Sequence, residues 1–474
     1  VALDTAWEGE GEDVVEWTSA AELSARITFG PHFKLVIEGQ LGHWTGAERG
    51  LEAPRGELFT RAGEVWAGWQ GDGWSLRVGN ILNTWGVTTL IRPADIINPR
   101  DLRVPTYLGP GAWGRRIAHP ALEGSLSGDA WSLTGLVIPF FVPDQVALFG
   151  RDAGVLSQHT AVGAGFPVYG LFGALLGPQA NEEAQALFGA AGAPDETPGN
   201  VSLGGRAAVT VANTDLAIGY LWGWDRTPWV VVDEDVAALA RLAAEDGQVF
   251  ADLNLLGFFA RNREVLAISN RISAKREAGE EILAVEALRR HTLTLEAARY
   301  VGPIGVRADM ALSPAQTFYT ERFGTFRRPT MFGALGLSWD DLSVDERIFS
   351  LNIEGFWQHV WAHDAALTRI FVPEDRRGES SDEALIFGDD FYGVAAAVLW
   401  ELPLLKLRAQ LGGTWNISTG DGFGSLRLER SFESWLTAVA GVTIHKGPDP
   451  AQRLTLGGLL DRNDQVFFGL EGRY

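Results

Sequence analysis

The chain ends on a stretch that few folds can use. In Asp464-Gln-Val-Phe-Phe-Gly-Leu-Glu-Gly-Arg-Tyr474, Val466, Phe468, Leu470 and Tyr474 share one face of an extended strand, and Gln465, Glu471 and Arg473 share the other. Alternation with a period of two that runs out to an aromatic residue suits a strand with lipid on one side and water on the other. The rest of the chain then has to supply the sheet that this strand joins.

The same pattern recurs upstream. Leu23, Ala25, Ile27 and Phe29 oppose Glu22, Ser24, Arg26 and Thr28; after Gly30-Pro31, Phe33, Leu35 and Ile37 oppose Lys34, Glu38 and Gln40, which makes a hairpin with a tight turn. Further runs lie near 57–69 and 74–83, 115–127 and 130–142, 201–212 and 214–225, on either side of Gly302-Pro303, and near 330–339 and 342–357. Runs near 385–400, 403–417, 424–431, 435–446 and 464–474, with a short one inside residues 1–10, bring the count to about 18 strands, an even number that puts both ends on one side. Short turns fall at one end of these strands. Long loops at 45–56, 84–114, 143–200, 226–285, 314–329, 361–383, 418–423 and 447–463 fall at the other.

The terminal strand resembles the C-terminal signal strand of Gram-negative outer-membrane β-barrels, and with the strand pattern the resemblance to this porin-like superfamily covers nearly the whole chain. It implies an all-β fold, a transmembrane antiparallel up-and-down β-barrel of about 18 strands with long extracellular loops, formed by residues 1–474 as one domain in the bacterial outer membrane. It also implies that the barrel assembly machinery reads Phe468, Leu470 and Tyr474, that this strand pairs with the first to close the barrel, and that membrane lipid and lipopolysaccharide surround it.

Composition fits that reading. Gly at 57, Trp at 18 and aromatics at 11% are high, while mean hydropathy is close to zero, as expected when each strand gives half its side chains to lipid and half to water. A soluble sandwich or propeller would alternate similarly but would not gather tryptophans such as Trp69, Trp74, Trp131, Trp339 and Trp400 at strand ends. The absence of cysteine suits an envelope protein, and a chain that begins at Val1 is expected to be a processed or trimmed form. A net charge of −21 argues against nucleic acid as a partner and is compatible with divalent-cation bridges to lipopolysaccharide. Residues 153–181 carry no charge, but Gly163, Gly165, Pro167, Gly170 and Gly173 interrupt them, so a folded loop is expected there rather than a transmembrane helix.

Two loops stand out. The segment Asn80–Gly86 followed by Arg92-Pro-Ala-Asp-Ile-Ile-Asn-Pro-Arg-Asp101 is rich in turn-capping residues and looks like one found in porin-like families. It is expected either to fold into the lumen as a constriction, with Arg92, Asp95, Asn98, Arg100 and Asp101 as the candidate residues, or to be a rim loop locked by Asx-turns; calcium held by Asp95, Asn98 and Asp101 has the wrong spacing. In the insertion at about 226–285, Val236, Leu239, Leu242 and Ala243 recur at helical spacing behind a capping Asp233, and Arg261–Glu281 is a second helix-like run. Such an element can pack on its own loops, plug the pore or cap the surface.

By alternation the lumen-lining candidates are Arg26, Lys34, Glu38, Arg77, Glu123, Glu296, Arg307, Asp309, Glu354, Lys406, Arg408, Arg427 and Glu429. Both signs occur, and the excess acid in the loops suggests a weak preference for cations at the mouths. Catalytic and metal signals are poor: His359 and His363 lie at a strand end and its loop, Gly420-Asp-Gly-Phe-Gly424 lacks the strand-to-helix context of a phosphate loop, and no Ser-His pair is picked out. The expectation is a non-enzymatic channel without cofactor or metal, passing small hydrophilic solutes or ions. Two readings compete with it: a polysaccharide-export barrel with a periplasmic partner, and a plugged structural or partner-binding barrel.

Overall fold

A computed structural model of the protein describes residues 2–6, 14–46, 55–101, 115–144, 197–226, 229–246, 263–280, 283–319, 325–344, 347–362, 389–433, 435–448 and 464–472. Nine strands come from the first half: β1 (Ala2–Ala6), β2 (Val14–Phe29), β3 (Phe33–Gly46), β4 (Arg55–Gly71), β5 (Trp74–Ile81), β6 (His119–Ser127), β7 (Trp131–Ile138), β8 (Ser202–Val211) and β9 (Thr214–Trp224). The second half adds β10 (Arg289–Val301), β11 (Ile304–Tyr319), β12 (Thr325–Val344), β13 (Arg347–Val360), β14 (Asp390–Leu402), β15 (Leu407–Asn416), β16 (Asp421–Glu433), β17 (Leu436–Lys446) and β18 (Gln465–Gly472). Each pairs antiparallel with the next in one 18-stranded sheet, and β18 pairs with β1 through Leu3 opposite Phe468 and Thr5 opposite Val466. The circuit therefore closes on itself, as expected from the terminal strand.

Closure with a strict pleat sorts side chains between two media. Leu23, Ile27, Leu335, Leu411, Phe468 and Leu470 stand exposed on the outer face, while Thr294, Glu296, Ser338, Glu354 and Thr414, on the other side of the pleat, are buried. Outward aromatics form two belts. Phe29, Trp69, Trp74, Trp131, Trp339 and Trp400 lie toward the rim of tight turns, and Tyr220, Trp357, Tyr392 and Trp415 toward the rim of long connections. Tyr392 and Trp400 belong to the same strand. Their separation is about 27 Å along it and, at a tilt of ~40°, about 20 Å along the barrel axis, which suits anchoring at the two interfaces of a bilayer. Trp66 is different: it faces inward and is buried beneath Lys34 and Arg77.

The tight turns differ from the long connections by chemistry as well as length. Ala212 and Asn213 both take positive φ, 49° and 60°, the arrangement a two-residue hairpin needs to match strand twist. The expected strands are corrected at several points. Residues 314–329 are mostly strand, because β11 runs to Tyr319 and β12 starts at Thr325. Asp340-Asp341 does not make a turn; β12 continues to Val344, with the two acids taken up in a bulge between Trp339 and Leu342. Pro403–Leu405 form a 3₁₀ turn and Lys406 takes a left-handed conformation with its ammonium on the Phe432 carbonyl, so Lys406 caps a turn and does not line the lumen.

The insertion contains α1 (Glu234–Asp246) and α2 (Arg263–Glu277), with a short ladder between Trp229–Val232 and Leu283–Glu286 at its base. The Asp233 carboxylate caps α1 by accepting the Asp235 N–H, and Lys275 and Arg271 bridge from α2 to Asp233 and Asp235. Val236 and Leu239 are buried, as are Val265, Ile268 and Ile272 on the facing helix. Leu242 is half-buried. No described helix is long and apolar enough to cross a membrane. The stretches 153–181 and 250–259, together with Tyr474 and His363, lie outside the described residues.

The outer face gives a direct test. Leu335→Arg, at an exposed outward position midway along β12, should destabilise the protein in lipid vesicles by about 2–4 kcal/mol in denaturant unfolding, while the inward Gln410→Arg should change stability by no more than about 0.5 kcal/mol.

Candidate functional site

The interior is organised by one loop. It leaves β5 at Ile81, whose inward side chain is fully buried, and Trp85, Ile96 and Ile97 pack with it against Val36, Trp66, Ala121, Leu136 and Leu221, all inward residues of β3 to β9. Room for Trp85 comes from glycine, since a Cβ on Gly219 would sit 2.9 Å from its ring. This is an apolar core inside a barrel, and it fixes the loop to one wall.

From the contacts of Trp85 on β8 and β9 the loop then crosses along the inner wall to β11 through β14. Five consecutive backbone amides, Val87 to Ile91, donate to two carboxylates that project inward from distant strands. Val87 and Thr88 donate to Asp309 of β11 at 2.9–3.1 Å, and the Thr88 hydroxyl donates there too. Thr89, Leu90 and Ile91 donate to Glu354 of β13 at 2.6–2.9 Å. Both carboxylates are buried, and charge-assisted bonds from several N–H groups are what allow an ionised group to stay there. Gly86 starts the run at φ 92°, and a Cβ there would lie 2.6 Å from the Asp309 carboxylate, so glycine is required twice over. Ile91 and Leu90 finish the crossing against Ala334, Phe356 and Ala395.

The returning arm is tied by polar pairs. Asp95 forms an ion pair with Arg116, Asn98 exchanges hydrogen bonds with the Asn83 backbone, and Arg100–Asp101 pairs as a short ladder with Arg115–Arg116. The Arg100 N–H donates to Asp144 at 2.7 Å, and the Asp144 N–H donates to the Arg226 carbonyl at 2.9 Å. Burial raises the Asp144 carboxyl above its ordinary range against the pull of the Arg100 N–H, and lowers the Arg226 guanidinium to about 9 against the opposing charge of Asp144.

The five constriction candidates therefore belong to one loop inside the barrel, but Asp95, Asn98 and Asp101 are buried and hold its shape. Arg92 and Arg100 are half-buried, with Arg92 donating to the Thr89 carbonyl. With Asp95 engaged by Arg116 and Asn98 by Asn83, these residues are not arranged as a calcium site; among the described residues no group of three or more His, Asp or Glu could hold a metal. His359 hydrogen-bonds Asp390 at 2.9 Å beside Trp357, and Gly420 closes a tight turn before β16.

Of the lumen candidates, all but Lys406 lie on inward positions, and several form ion pairs: across strands Arg26 with Glu38, Arg77 with Glu123 and Arg408 with Glu429, and along β16 Arg427 with Glu429. Arg307 donates to the Thr89 hydroxyl of the loop at 2.8 Å. The sequence reading missed Arg206, which forks onto Glu296 at 2.9 and 2.8 Å. Its signal was present, since Leu203, Ala207, Val209 and Val211 share the opposite face of β8. It also missed the amide run 87–91, which has no side-chain signature.

No family model matches the chain and no curated protein matches it. Among solved structures, Pseudomonas aeruginosa OccK5 (OpdH) aligns over 100% of this chain and 97% of its own at 8% identity and a TM-score of 0.44. Wzi, an Escherichia coli outer-membrane protein involved in group 1 capsule assembly, covers 100% and 83% at 9% identity and 0.43, and Pseudomonas aeruginosa OpdK covers 99% and 96% at 10% and 0.41. Likenesses this distant carry no argument; the barrel stands on its own hydrogen-bonded circuit.

Replacing both loop anchors separates polar docking from apolar packing. In Asp309→Ala/Glu354→Ala, amide hydrogen exchange at Val87 to Ile91 should accelerate by about tenfold to a hundredfold, in line with ~1.5–3 kcal/mol of lost charge-assisted bonding. Amides of β10 should exchange as before. Unchanged exchange at 87–91 would mean that Trp85 and Ile91 alone hold the loop.

Proposed function

We propose that the protein is a bacterial outer-membrane channel through which small hydrophilic solutes or ions diffuse, narrowed by loop 82–99. The observation that carries this reading is the unequal filling of the lumen. On the side of β8 to β13 the inward residues Thr294, Glu296, Asp309 and Glu354 are buried, Asp309 and Glu354 by the loop amides and Glu296 by Arg206. On β2 the inward residues Glu22, Ser24, Arg26 and Thr28 are all exposed, as is Arg408 on β15. A charged, solvated half beside a sealed half is what a constricted aqueous path needs: the loop sets the width, and the open wall supplies the polar lining. The outer apolar surface with two aromatic belts supports placement in a membrane.

The helical insertion is read as a surface element, because its described ion pairs run from Arg271 and Lys275 of α2 to Asp233 and Asp235 at the start of α1. A barrel for polysaccharide export would call for a lumen dominated by Lys and Arg, and this one holds both signs in pairs.

Single-channel recording in a planar bilayer tests the proposal. The intact protein should give a steady conductance, deletion of residues 233–284 should leave it unchanged, and Asp309→Ala/Glu354→Ala should make it noisier and larger. Silence in the intact protein with large currents after the deletion would instead make the insertion a plug, and favour a gated exporter or a structural barrel.

A further inference from the structure

We infer that the open side of the lumen favours small anions, in spite of the chain's net charge of −21; the inference rests on the channel reading above. The inward carboxylates are largely spoken for. Asp309 and Glu354 are covered by loop amides. In the cross-strand pairs the guanidinium is the member that meets water: Arg26 is 65% exposed against 20% for Glu38 and Arg77 28% against 11% for Glu123, and on the loop-covered side Arg206 keeps the same order, 24% against 1% for Glu296. Arg408 reaches Glu401 and Glu429 and is more exposed than either, while Arg427 and Glu429 are even. Glu22, inward and exposed on β2, acts in the opposite direction.

Each such pair is neutral in sum, but it is a dipole with its negative end at the wall and its positive end in the water. A low-dielectric wall on every side focuses that field along the path, so a passing ion meets the guanidinium ends first. A planar guanidinium with free donors also takes a carboxylate or phosphate group through two parallel hydrogen bonds, which a bare cation cannot exploit. The solute class this lining suits is therefore a small molecule carrying a carboxylate or phosphate group, with chloride as its simplest stand-in.

The test is the reversal potential of the full-length protein in a planar bilayer under a potassium chloride gradient. The intact channel should reverse on the chloride side of zero. Arg26→Gln/Arg408→Gln, which alters two exposed side chains, should move the potential toward potassium, and Glu22→Gln should move it further toward chloride. The single change Glu22→Gln keeps every ion pair named above, so it reads selectivity even if the double variant folds poorly. A potassium-selective intact channel, or a potential that neither variant moves, overturns the inference and leaves the channel reading standing. No current from any of the three overturns both.

Discussion

Everything in this barrel depends on the satisfaction of backbone hydrogen bonds where no water can help. A strand facing lipid has no solvent to take its N–H and C=O groups, so each edge must be paired, and the last edge must find the first. The pairing of β18 with β1 meets that demand. Once the circuit is closed, the pleat has only two destinations for side chains, and a sequence with period-two alternation has only one register that keeps charge out of lipid. The long outer face of leucines and aromatics and the inner face of paired charges are consequences of closure, and neither needs a separate cause.

The same accounting governs the interior. A loop that enters a barrel carries its own unpaired amides, and buried amides without acceptors are costly. Here the wall answers with Asp309 and Glu354, whose isolated burial would be costlier still. Two unfavourable groups, a run of free N–H donors and a pair of desolvated carboxylates, cancel when brought together. Apolar contacts at both ends then fix the direction of the crossing, with Trp85 seated against Gly204 and Gly219 and Ile91 among Ala334, Phe356 and Ala395. The loop is thereby part of the core of the molecule although its chain runs through the lumen.

How much of this was legible follows from which forces act locally. Alternation is a property of consecutive residues, so the strands, their even number and the inward faces of Glu38, Arg77, Glu296 and Asp309 could be read directly. Turn residues are less certain guides. Asp340-Asp341 has the composition of a turn, but the pairing of β12 with β13 beyond it was strong enough to absorb both acids in a bulge. Likewise Pro403 withdrew Lys406 from a strand that its neighbours' alternation suggested. The docking of 87–91 on Asp309 and Glu354 joins positions 222 and 265 residues apart through main-chain donors. Nothing at Val87 or Leu90 distinguishes them in sequence from any other loop residue, so the polar candidates Asp95, Asn98 and Asp101 drew the eye while the bonds that hold the crossing stayed invisible.

The sign of the lumen illustrates the same limit from the electrostatic side. Net charge counts groups wherever they lie, whereas a permeating ion responds to the groups it passes and to the depth at which each is held. An aspartate or glutamate on a strand has a short arm and stays near the wall, where a loop amide or a neighbouring guanidinium can cover it. An arginine has a longer stem and a head that is more weakly hydrated and can stand over its partner, as Arg26 does over Glu38 and Arg77 over Glu123. Where the two signs are paired, reach alone makes the inner surface more positive than the composition. The acidic excess of the chain and a cationic lining on its path are therefore compatible, because one is a sum over residues and the other is set by the geometry of pairing.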